Sequence, residues 1–263
     1  ILRIEETELL EKYLPFDRPV PYKDLLISPI KLRDMYEVQE ILGVLQIDKN
    51  DLGEIAFISM SKLRFTLLAI CTEEKYREAL CQLLYKALSI KDKEIDIYID
   101  DTTEYLIIGK KIDEVHGINI FDERTAIKIT AEDFDEIIRI ILYQNVLDYT
   151  DRYIDPDVRR AVNEYYRLKN KDAKIVPLEH KITCVQLKTG MTKGAIGDLT
   201  IRNFYQLFDT LVDESDYIAA KTAEFNGVQF KSPIEHWAYK ARKDRYAEAF
   251  SDADAFVDKI QSV

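Results

Sequence analysis

The chain has 263 residues, 47% hydrophobic and 32% charged, with only 8 Gly and 7 Pro, which excludes a disordered tract, a collagen-like repeat or a disulfide-dense module and favours helix. Net charge is −11, and residues 1–150 hold all of the excess, with 19 basic against 30 acidic groups, whereas residues 151–263 carry 18 of each. An acidic first half repels phosphate and anionic headgroups, so nucleic acid and membrane surfaces are disfavoured and protein is the default partner.

Residues 1–14 predict a helix, broken by Pro15 and Pro19, and residues 22–30 predict a short strand closed by Pro29. Helical periodicity returns over 32–45, over 62–71 with Leu63, Leu67 and Ile70 on one face, and over 73–88, with Thr72 as N-cap. The period then falls from 3.6 to 2. Ile95, Ile97 and Ile99 alternate with polar residues, and 105–108, Ile118 with Ile120, and Ile127 with Ile129 follow at hairpin spacing. Four short strands predict a small antiparallel meander with one wet face.

Thr130 with Asp133 predicts a capped helix carrying a wide stripe of Phe134, Ile137, Ile138, Ile141 and Leu142. The polar, Pro-terminated stretch 148–156 coincides with the charge shift and marks a boundary. The expected organisation is an acidic α+β domain, 1–150, followed by an all-helical domain, 155–263. In the second, Asp155 caps a helix with Pro156 at its first position, and further helices are expected over 178–188, 201–212, 215–225 and from Ser251 onward.

Cys71, Cys81 and Cys184 form no C-x-x-C pair and suit a reducing compartment. The opening Ile1-Leu2-Arg3-Ile4-Glu5-Glu6 carries neither the basic nor the apolar region of a secretion signal. The longest apolar runs, such as Ile140-Ile141-Leu142-Tyr143, fall short of the roughly 20 residues that span a bilayer.

Pro156-Asp157 followed by Asp172-Ala173-Lys174 matches the letters of a PD-(D/E)xK metal-dependent nuclease, which needs two carboxylates on one cation and a lysine near the attacking water. A strongly periodic helix between the two halves argues instead for a helix start and a solvated turn. His116, His180 and His236 are isolated, and 189–194 lacks the order of a phosphate-binding loop. The acidic clusters Asp100-Asp101 and 132–136 lack the alternating oxygens and Gly turn of a calcium loop and read as solvated faces. The sequence therefore assigns no catalytic residue, no cofactor and no metal site.

The segment from Met191 to Phe208 admits two readings. As a helix-turn-helix it would expose Arg202 and Asn203 at the start of a recognition helix, but Ile201, Phe204, Tyr205 and Phe208 form a core stripe and basic residues are sparse. The second reading rests on Met191, Thr192, Ile196, Leu199, Thr200, Arg202, Phe204 and Leu207. In this pattern the segment resembles bacteriophage tail assembly chaperones and related tail proteins. Residues 22–31 and 133–141 also resemble tail-module proteins from phages of low-GC Gram-positive bacteria. The chain departs from the chaperones in carrying a large N-terminal α+β domain.

What the resemblance implies is a chaperone-like or structural role in tail assembly, without catalysis, in the host cytoplasm or the virion. Its partners would be other tail or virion proteins, or further copies of the chain. Tyr and Trp are the residues that dominate interfaces, and the chain has 16 Tyr and one Trp. The candidate partner-binding residues are Trp237, Tyr239, Arg242, Arg202 and Phe204, with Trp237 as a core plug the competing role.

Overall fold

The computed structural model describes residues 3–52, 54–90, 95–100, 105–115, 118–122, 126–171, 174–230 and 232–239. It has an α+β fold in two compact units. One comprises 1–151 together with Thr200–Arg202, and the other comprises 152–199 and 203–263. The expected helix from Ser251, together with Asp101, His116, Asp172 and Arg242, lies outside the described residues.

The first unit opens with α1 (Glu6–Glu8), which widens into a π-helical turn at Leu9–Tyr13 and tightens to a 3-10 turn at Leu14–Phe16. Pro15 sits in the first positions of that last turn, where a missing N–H costs nothing. The strand expected over 22–30 is instead one arm and the turn of a hairpin, β1 (Val20–Tyr22) against β2 (Leu25–Ile27). Lys23 takes φ +50° at the reversal, a left-handed conformation that a two-residue hairpin turn requires.

Next come α2 (Met35–Val44), the short α3 (Ile55–Ile58), α4 (Lys62–Phe65) running into a π-helical turn at Thr66–Ile70, and α5 (Glu74–Ala87). α2 lies against α5, and Lys86 of α5 ties to Asp34 and Glu37 at the start of α2, at 2.9 and 3.2 Å. The expected cap Thr72 is displaced by one residue: Glu73 occupies the N-cap without a side-chain hydrogen bond.

The four expected strands form. β3 (Ile95–Asp100), β4 (Tyr105–Val115), β5 (Ile118–Phe121) and β6 (Ile127–Thr130) assemble around β4. β3, β4 and β5 follow one another as the expected antiparallel meander, but β6 returns to β4. β3 pairs along one edge of β4, while β5 and β6 pair in succession along the other, so β5 and β6 are not neighbours. Two features make this possible. Ile112 is an extra residue between the pairs Lys111–Phe121 and Asp113–Ile120, a β-bulge that leaves its side chain 61% exposed. Gly109 lies beneath the returning chain, where a Cβ would meet the Ala126 Cα at 3.1 Å. Leu106, Ile108 and Ile129 share the buried face, and Lys128 and Thr130 are exposed, with Lys128 over the Tyr105 ring at 3.9 Å.

β6 leads directly into α6 (Ala131–Asn145), the core of the unit. Thr130 caps it, accepting from Asp133 N at 3.3 Å. Phe134, Ile137, Ile138, Ile140, Ile141 and Leu142 are fully buried, and so, nearly, are Asp133, Glu136, Arg139, Gln144 and Asn145. The acidic start of this helix is therefore not a solvated face; only Asp135 and Glu132 of the cluster are exposed.

The second unit has α7 (Pro156–Lys169), α8 (Leu178–Thr189), α9 (Lys193–Asp198) and α10 (Ile201–Phe225). Asp155 accepts from Asp157 N and Val158 N, the expected cap of α7. Gly190, at φ +73°, closes α8 with a left-handed residue, which accounts for the glycine that mimicked a phosphate loop. The two helices expected over 201–212 and 215–225 are one helix. Ser215 does not cap a new start; its Oγ donates to Leu211 O at 2.8 Å, a bond that a continuing helix accommodates.

Because α6 is buried on every side from Glu136 to Asn145, truncating it there leaves a cavity that the surroundings cannot fill. Ile138→Ala should lower unfolding free energy by about 2–5 kcal/mol, whereas Ile112→Ala at the bulge should stay within about 0.5 kcal/mol of the parent, both read by urea denaturation.

Candidate functional site

Of the sequence-predicted interface residues, Phe204 is fully buried and edge-on to Tyr205 at 5.3 Å, so its role is packing. Arg202 is half-buried, and its Nη1 donates to the carbonyls of Tyr143 and Val146 at 3.0 and 3.4 Å. Those carbonyls belong to the last turn of α6, where backbone acceptors lack intrahelical donors and the helix dipole favours a cation. Arg202 is thus a helix-end ligand within the first unit, and the helix-turn-helix reading loses its exposed reader. Its neighbours do the same kind of work: Ile201 N donates to Ile30 O at 2.9 Å, and Thr200 Oγ1 donates to Asp17 Oδ1 at 2.8 Å.

Trp237 and Tyr239 form a 3-10 turn, Trp237–Tyr239. His236 organises it, accepting from Ala238 N through Nδ1 at 3.1 Å and lying near the rings of Tyr217 (4.7 Å), Trp237 (5.4 Å) and Tyr239 (5.9 Å). Trp237 is half-buried in that stack, while Tyr239 is 79% exposed. These two remain available as an aromatic patch.

Asp157 sits in the first turn of α7, exposed and paired with Arg160, and Lys174 is exposed beyond α7. Among the described residues no three His, Cys, Asp or Glu side chains converge as a cation site. His180 is exposed on α8. Burial pushes the Cys71 thiol up to about 11, well away from a reactive thiolate.

The charged side chains with the least exposed surface among the described residues, Asp133, Glu136 and Arg139, lie along α6, and sequence reasoning missed them. Arg139 donates through Nη1 to Glu136 Oε1 at 2.8 Å and to Ile4 O at 2.9 Å, and through Nε to Asp151. Ile4 N returns to Glu136 Oε1 at 3.1 Å, Tyr143 OH donates to Asp151 Oδ1 at 2.7 Å, and Arg3 also reaches Asp151. A second cluster joins Tyr22 OH to Asp133 Oδ1 at 2.8 Å, with Lys23 on the same oxygen. Further along, Gln144 Nε2 donates to Ile27 O, and Asn145 Oδ1 accepts from Ile30 N. Each cluster is a ring of protein groups bonding one another, an arrangement that pins chain segments together.

Their protonation follows from this geometry. Burial raises the cost of charging Asp151, but hydrogen bonds from Tyr143 and Arg139 outweigh it and hold its carboxyl at about 2. Asp133 is likewise desolvated yet drawn below the usual carboxylate range by Lys23 and Tyr22. Desolvation and the adjacent carboxylates push the Tyr22 and Tyr143 phenols upward, which keeps both as donors.

The second unit is built differently. Among its described residues the buried apolar side chains are Val162, Val185, Ile196 and Phe204. Large apolar groups face solvent instead: Tyr153, Ile175, Leu187 and Phe225 are each at least 80% exposed, joined by Leu168, Ile218, Val228 and Phe230. The first unit also exposes apolar residues, such as Tyr36 and Ile55, but beside a large buried set; in the second unit the described buried set is small. No helix among the described residues is long and apolar enough to cross a membrane.

Comparison of the chain with protein-family models, with curated proteins and with solved structures gave no match.

The sign of the pH dependence follows from Asp151. Its folded carboxyl lies below the unfolded value of about 3.9, so its contribution is present above pH 4 and is lost as pH falls toward 2. Urea denaturation of Asp151→Asn should show a deficit at pH 7 that narrows as pH is lowered; a deficit constant with pH would contradict this assignment.

Proposed function

We propose that the chain is a non-enzymatic component of a bacteriophage tail module, acting in tail assembly or within the tail or baseplate by binding other proteins. The observation that carries the binding role is the small buried apolar set among the second unit's described residues, beside its exposed Tyr153, Ile175, Leu187 and Phe225. A helical segment of that kind gains most of its apolar burial from another polypeptide. The tail setting rests on the likeness of residues 191–207, 22–31 and 133–141 to tail proteins.

In this reading the first unit is a rigid, acidic base closed by the α6 network, and the second presents the contact surface. Tyr239 and Leu187 are its exposed anchors, with Trp237 holding Tyr239 in place through the His236 stack. The acidic surplus of residues 1–150 keeps the chain from DNA during assembly.

The test is co-purification of the full chain with the tail proteins encoded beside it. A stable stoichiometric complex is expected. Tyr239→Ala and Leu187→Asp should each weaken it by about tenfold or more while leaving the melting temperature unchanged. Absence of any complex with every neighbouring tail protein, or binding indifferent to both variants, would overturn the proposal.

A further inference from the structure

The continuous α10 reveals a pattern that two separate helices would hide. From Phe208 onward, seam-type positions recur at alternating steps of four and three: Phe208, Leu211, Ser215, Ile218, Thr222 and Phe225. Spacing of this kind is the contact stripe of two helices coiled around each other. Phe208, Leu211 and Ser215 are half-buried, with Lys181 of α8 5.4 Å from the Phe208 ring, and the stripe is open toward its end, where Ile218 is 53% and Phe225 91% exposed.

Its two polar members suit burial. Thr222 Oγ1 donates to Ile218 O at 2.8 Å, and Ser215 Oγ is likewise bonded to Leu211 O. Covering either residue therefore strands no hydroxyl. What each offers to a partner is a small shoulder into which a larger side chain fits.

The identity of the partner follows from the order of these residues. Turned end for end, the stripe is complementary to itself: Phe208 falls opposite Phe225, Leu211 opposite Thr222, and Ser215 opposite Ile218. Both inner layers match an aliphatic residue to a small one. The same register brings Glu214 on one flank opposite Lys221 of the other copy, twice by symmetry, and Val212 opposite Ala219 on the second flank. In a parallel pair Glu214 and Lys221 would instead face Ala219 and Asn226, and the charge match would vanish. Lys221, which reaches Glu224 at 2.8 Å within one copy, is on the surface and placed to bridge.

We propose that the chain forms a two-fold, antiparallel dimer through residues 208–225 of α10. The contact is isologous, so it closes at two copies and builds no filament. It depends on α10 alone and shares only Phe225 with the observation behind the tail-binding reading, whose anchors are Tyr239 and Leu187.

Analytical ultracentrifugation of the full chain over the micromolar range tests it. A concentration-dependent monomer–dimer equilibrium is expected. Glu214→Lys and Lys221→Glu should each raise the dimer Kd about tenfold, because both symmetric pairs turn from attraction to repulsion. The double variant, with the charges exchanged, should recover the parent Kd. Ile218→Asp should leave monomer at every concentration, with helical circular dichroism unchanged. A parent chain that stays monomeric throughout, a dimer indifferent to the single reversals, or reversals that the exchange does not rescue would each overturn the proposal.

Discussion

From Glu136 to Asn145 every side chain of α6 is buried, and with Asp133 its polar groups are met by protein rather than water, so they dictate what must lie beside them. In α6 the apolar residues Phe134, Ile137, Ile138 and Ile141 supply the burial, and the polar residues supply the addresses. Glu136 and Arg139 hold the backbone of Ile4; Asp133 holds Tyr22 and Lys23; Gln144 and Asn145 hold Ile27 and Ile30. The end of the helix is closed by Arg202, whose guanidinium meets the carbonyls of Tyr143 and Val146. Apolar contact alone tolerates sliding, whereas these directional bonds fix one register. That is why α6 gathers segments from both ends of the first unit and from residues 200–202.

The second unit reverses that balance. Its helices are well specified locally: Asp155 and Thr192 cap α7 and α9, and Gly190 ends α8. Their apolar side chains, however, stay largely at the surface. Helix in water gains most of its stability from packing of an apolar face, and among the described residues these helices bury few such side chains. A division of labour between a closed unit and an open one is the physical basis for reading the chain as a binding protein. Its charges point the same way, since the carboxylates most removed from water are bonded to arginine, lysine and tyrosine.

Local signals in the sequence were legible. Thr130, Asp155 and the 3.6-residue periods of α2, α5, α7 and α8 announce the helices, alternating isoleucines announce β3, β5 and β6, and the apolar run 105–108 announces the start of β4. Whatever depended on distant partners was not. Residues 132–136 read as a wet acidic face because Tyr22 and Lys23, which bond Asp133, and the Ile4 N–H, which shares Glu136 with the nearby Arg139, sit more than a hundred positions away. Arg202 read as an exposed contact because its acceptors are backbone carbonyls, which carry no sequence signature. The return of β6 to β4 went unread for a related reason: pairing of both β5 and β6 with one long strand requires the Ile112 bulge and Gly109, and a bulge disturbs alternation just where it would be read. A separate helix over 215–225 was expected because Asp213, Glu214, Ser215 and Asp216 interrupt the apolar stripe, but the Ser215 hydroxyl bonds Leu211 O inside one continuing helix. The stripe along α10 follows once that break is removed.

Hydrogen exchange resolved by mass spectrometry measures the contrast between the two units most directly. In dilute, isolated chain, amides of α6 should be the slowest to exchange, opening only with global unfolding, while those of α7, α8 and the end of α10 exchange orders of magnitude faster and slow markedly on assembly. Equal protection of α6 and the second unit's helices in the lone chain, with no change on assembly, would contradict an open unit awaiting a polypeptide partner.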